Sequence, residues 1–199
     1  MALDQTKLRT ELAKVMDKDD IAFVGYPDTV AEAADNWANA YHIYALDAAD
    51  VSGDSFLVPP VASTFSSTLA GALPPPLTGT AAQAAAAFEA AFVAYWTPVT
   101  FNILSIIPPP PPPPACPNIG LGNNLWGVET TSLPVVTPEV LKGLLSPIFD
   151  VNSELVQPKI DDMRDAFHTA TTTAIIVTII GLDTTIPTPL AITNSCTIF

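Results

Sequence analysis

Residues 81–99, AAQAAAAFEAAFVAYWTPV, decide how the rest of the chain is read. Phe88, Phe92 and Tyr95 stand at i, i+4 and i+7, a spacing that sets three rings on one side of a helix. Ala84, Ala85 and Ala91 extend that face, and alanine has the highest intrinsic helix propensity. Residues 31–51, AEAADNWANAYHIYALDAADV, repeat the arrangement. Shifted by 51 residues, Trp37 falls on Phe88, Tyr41 on Phe92 and Tyr44 on Tyr95, with Ala33, Ala34 and Ala40 on Ala84, Ala85 and Ala91. Two faces that alternate small residues with large rings predict two helices that touch, with Trp37, Tyr41, Phe88 and Phe92 buried.

Outward from these helices the charge pattern is uneven. The chain has 199 residues, 49% of them hydrophobic and only 14% charged, with a net charge of −13. From residue 55 to 138 the only charged side chains are Glu89 and Glu129, and no Lys or Arg occurs between Asp19 and Leu141. A soluble monomer normally intersperses charge over its surface, so this middle is expected to lie against neighbouring subunits or lipid. The scarcity of clustered Lys and Arg argues against nucleic acid as a partner. Residues 90–107 carry no charge, but Pro98 and Asn102 interrupt them and no flanking cation anchors them, which argues against membrane insertion.

At the N-terminal end Asp4 is placed to cap a first helix, with Leu3 and Leu8 as a hydrophobic staple and Leu12 and Val15 continuing the stripe. Asp17, Asp19 and Asp20 read as a solvated turn, since the Gly and distal Glu of an EF-hand loop are missing. Asp28 or Thr29 can cap the second helix. Residues 55–80 carry Pro59, Pro60 and Pro74 to Pro76 among serines and threonines, which predicts extended or loop structure there. After the helix at 80–96, Pro98 ends the run and VTFNILSII fits a short strand.

Residues 108–114 are seven consecutive prolines, a polyproline II rod of roughly 22 Å at ~3.1 Å per residue. They read as a stiff spacer, because the flanking Arg or Lys of an SH3 ligand is absent. Thr137 and Pro138 are a helix start, with Pro147 as its end, and a further helix follows from Ser153 or Pro158 to Thr169 on the stripe Ile160, Met163 and Phe167. His168 would then sit at a helix C-terminus. Residues 175–180 form a β-branched strand core, residues 183–189 a turn, and residues 190–199 a second extended segment. Cys116 and Cys196 lie 80 residues apart with no CxxC pattern, and they can pair or stay free. The end Cys196-Thr197-Ile198-Phe199 matches a prenylation box but also the last turn of a strand.

The expected architecture is mainly α, four or five helices, with a small β element in the C-terminal tail and extended proline-rich segments. Its parts are an N-terminal helical part at 1–54, a charge-poor segment with a central helix at 55–107, a polyproline linker at 108–117, a second helical part at 118–172 and an extended or β tail at 173–199. No catalytic, cofactor-binding or metal-ligating residue is singled out. His42 and His168 sit in packed aromatic company, no Gly-x-Ser-x-Gly elbow occurs, and no metal spacing is present. Alanine-rich helices spaced with aromatics, the run Ala94-Tyr95-Trp96-Thr97, and the tail HTATTTAIIVTI followed by TTIPTP resemble small structural proteins of tailed-bacteriophage virions. The resemblance implies a subunit of a shell, neck, tail or baseplate, assembled in a host cytoplasm, whose partners are other structural subunits or copies of itself. The alternative is a polyproline-presenting or membrane-associated cellular interaction protein.

Overall fold

The two aromatic–alanine helices form where their spacing places them. In the computed structural model, which describes residues 3–48, 56–73, 79–101, 135–151, 155–183 and 190–198, helix α1 is Gln5–Met16 and α2 is Val30–Ala45. Strand β1 is Phe56–Val58, α3 is Ala62–Ala72, α4 is Ala81–Trp96 and β2 is Thr100–Phe101. Strand β3, Val135–Val136, precedes α5 at Val140–Asp150 and α6 at Val156–Ala174. Strands β4, Ile175–Asp183, and β5, Leu190–Thr197, follow. The fold is mainly helical with a small sheet, as the sequence predicts. The polyproline run and Cys116 lie outside the described residues, as do residues 184–189, where a turn is expected.

Each helix packs on its neighbours in sequence, and α6 packs back on α1, so the six helices close into a ring. The local signals that start them are explicit. Asp4 caps α1 by accepting from the Thr6 N–H at 2.8 Å, and Leu3 and Leu8 are both buried as the staple requires. Thr29 caps α2 through the Glu32 N–H, and Thr80 with Gln83 makes a reciprocal capping box on α4. Asp17 and Asp20 each accept a backbone N–H two residues on, which makes the acidic cluster a turn.

Four expectations need correction. Residues 55–80 are not wholly loop: between Pro60 and Pro74 lies a proline-free stretch, and Phe65 and Leu69 at i and i+4 bury completely as α3. Pro147 lies inside α5, which runs on to Asp150. The helix α2 stops at Ala45 rather than near Val51. Finally, α6 continues past Thr169 to Ala174, so His168 is internal to a helix and not at its end. Thr171, Thr172 and Thr173 return their hydroxyls to carbonyls four residues earlier, which satisfies these β-branched polar side chains inside the helix.

Helix α3 changes how the two signature helices meet. It packs on both α2 and α4, which therefore face one another across the interior through their rings. Trp37 meets Phe88 edge to face at 5.3 Å, and Tyr41 lies 6.0 Å from Phe92 and 5.4 Å from Tyr95. Tyr41, Phe88 and Phe92 are buried, while Trp37 is half-buried because one edge opens on a cleft described below. The inner face of α4 is covered by the chain itself, whereas α3 buries only Phe65, Ser66 and Leu69, and Leu57, Val58 and Val61 stay exposed. One hydrophobic cluster draws on helices from both sides of the polyproline run.

The sheets are small. β1 pairs antiparallel with β2. β4 and β5 form a continuous antiparallel ladder from Ile176 opposite Thr197 to Asp183 opposite Leu190. β3 covers only Ile175 and Ile176 of β4, and Ile175 and Ile198 seat the base of the hairpin in the core.

Candidate functional site

The centre of the ring is Tyr41. Its ring touches Tyr44, Phe65, Phe92, Tyr95 and Phe167, contributed by α2, α3, α4 and α6. Its hydroxyl accepts from the Trp96 indole N–H at 2.8 Å and meets Thr171 Oγ1 at 2.7 Å. Thr171 spends its own proton on the Phe167 carbonyl at 2.7 Å, so Tyr41 must be the donor to Thr171. A directed chain results, Trp96 to Tyr41 to Thr171 to a helix carbonyl, crossing from α4 through α2 to α6. All three side chains are fully or almost fully buried, and each polar atom has a partner.

Two histidine–tyrosine pairs flank it. His42 Nδ1 lies 2.8 Å from the Tyr95 hydroxyl, linking α2 to α4. His168 Nδ1 lies 2.6 Å from the Tyr44 hydroxyl, linking α2 to α6. Burial holds the His42 imidazole below its ordinary value. Burial also lowers His168, with Arg164 lowering it further against an opposing pull from Asp165. Burial pushes the phenols of Tyr41, Tyr44 and Tyr95 well up. Neutral imidazoles accept and un-ionised phenols donate, which fits both pairs. In each pair the phenol stays protonated and faces the imidazole Nδ1.

Glu89, only 7% exposed, is the one charge of α4 and has a structural use that the sequence does not disclose. Its carboxylate accepts the backbone N–H of Glu139 at 3.0 Å and of Lys142 at 2.9 Å, capping α5 from another helix. That cap meets a local need: Glu139 has φ +70, a left-handed conformation strained for a side chain other than Gly, and makes no side-chain cap of its own. The positive end of α5 favours a carboxylate there. On the α2–α3 side, Ser66 donates to the Asp35 carboxylate. Arg9 reaches from α1 to Asp161 and Gln157 on α6, closing the ring with an exposed polar seam.

One open cleft of about 380 Å³ lies where the C-terminal end of α1, the start of α2, the end of α5 and the start of α6 converge. Met16, Trp37, Phe149 and Met163 give it apolar walls, and Asn36 and Lys159 are its polar members. The sequence reading missed it, because its residues come from four separate helices and share no motif. Among the described residues no group of three or more His, Cys, Asp or Glu could hold a metal, and no helix is long and apolar enough to cross a membrane. No known protein family matches the chain, and neither a curated protein nor a solved structure matches it.

Proposed function

We propose that the protein is a structural subunit of a larger assembly, a virion component such as a shell, neck, tail or baseplate protein, acting by packing against copies of itself or other subunits. The observation that carries this reading is the β4–β5 hairpin. Past Ile176, β4 has only β5 as a strand neighbour among the described residues, and β5 has only β4. Both strands are free of proline and of charge except Asp183 at the far end. Natural sheets usually protect such edges with Lys, Pro or a covering element, and two strands by themselves are marginal in water. Strand addition from another chain completes both needs. The buried centre is consistent with a packing role, since its polar groups serve one another.

The burial of the inner faces of α3 and α4 removes part of the argument from missing charge, which now rests on the exposed Leu57, Val58 and Val61, on residues 102–134, outside the described residues, and on the tail. Light scattering on the sized protein tests the proposal. It predicts concentration-dependent association that is lost when Thr193→Lys and Ser195→Lys charge the edge strand. A monodisperse monomer at all concentrations, or association indifferent to those lysines, would count against it.

A further inference from the structure

The open cleft has a chemical character that packing does not explain. Its walls are two methionines, a tryptophan and a phenylalanine, which form an adaptable apolar surface. Its volume of about 380 Å³ falls in the range of small-ligand sites. The polar member that matters is Lys159. Of the seven cationic side chains, six make ion pairs: Lys7, Arg9, Lys14, Lys18, Lys142 and Arg164. Among the described residues Lys159 makes none, although Asp162 stands one helical turn away. It is half-buried and borders the cleft.

Two carboxylates of this region are otherwise engaged. Asp161 is held by both Arg9 and Arg164, and Asp17 accepts from the Gln157 amide at 2.6 Å. Asp162 lines an adjoining groove with Pro158 and Lys159. An unpaired ammonium beside an apolar cleft complements a ligand with one negative end and an apolar body. We propose that this cleft binds a small amphipathic carboxylate of the fatty-acid class, its chain lying on Trp37, Met16 and Met163 and its carboxylate meeting Lys159. Asn36 supplies a second hydrogen-bonding group at the site. The binding does not depend on assembly, because all the lining residues belong to one chain.

Titration of the full chain with decanoate, followed by calorimetry and by tryptophan emission, tests this. The expected result is saturable one-to-one binding below the micellar range with a change in Trp37 emission. Lys159→Gln should weaken decanoate roughly tenfold, the loss of one charge-assisted contact, and leave decanol binding unchanged. Ala33→Leu, at a half-exposed wall position, should weaken both ligands by narrowing the cleft while leaving the helical signal intact. The absence of saturable decanoate binding would overturn the proposal. So would equal affinity for decanoate in Lys159→Gln, or decanoate binding untouched by Ala33→Leu.

Discussion

The ring of helices and the hairpin that leaves it are built from similar uncharged residues, yet they settle their polar groups differently. In the ring every helix has a neighbour on both sides, and the buried hydroxyls and indole form a chain that ends on a carbonyl. In the hairpin each strand has one partner along most of its length, and the outer backbone groups have no strand to meet among the described residues. The ring is closed and the hairpin has an open edge, and on the proposed reading that edge is where another chain joins.

The largest effect should come from breaking the ring's interior. Phe88 touches Trp37, Phe65, Phe149 and Phe167, so Phe88→Ala removes a contact shared by four other helices. It should cost about 3–5 kcal/mol in chemical denaturation. Tyr41→Phe keeps the packing but leaves the Trp96 N–H buried without its acceptor, and a loss of about 1–3 kcal/mol is expected in the same measurement. Glu89→Ala frees two backbone N–H groups at the start of α5, for about 1–2 kcal/mol and selective loss of α5 protection in hydrogen exchange.

Acid provides a subtler break. His42 and His168 are held below 6.5 in the fold, whereas the unfolded chain protonates them near that value. Their contribution is therefore complete above pH ~6.5 and declines as pH falls below it, because only the unfolded state binds the proton. Thermal midpoints should drop between about pH 7 and pH 5, above the usual carboxylate range, and His168→Gln should flatten that slope. The smallest effect on stability belongs to the hairpin. Thr193→Lys with Ser195→Lys should shift the denaturation midpoint of the ring by no more than about 0.5 kcal/mol while suppressing association.

How much of this was legible varies with the range of the interaction. The i, i+4, i+7 rings of residues 81–97 predicted α4 and its buried face, because a helical stripe is a local pattern. The same pattern in residues 31–51 correctly named Tyr41 but not its role as hub, since Thr171 and Phe167 approach it from 130 and 126 residues away. Prolines on both sides hid α3: their effect on the flanks was read across a stretch that contains none. Threonine's β-preference hid the last turn of α6, where back-bonding to helix carbonyls outweighs propensity. Glu89 as a cap for a helix 50 residues on, and the cleft at Lys159, depend on closure of the ring. No local signal announces either.

Hydrogen exchange by mass spectrometry, on the free monomer and on the associated form, addresses the contrast most directly. The ring amides of α2, α4 and α6 should be protected in both, and those of β4 and β5 beyond Ile176 should become protected only on association. Equal, strong protection of the hairpin in a monodisperse monomer would contradict the assignment of that edge to assembly.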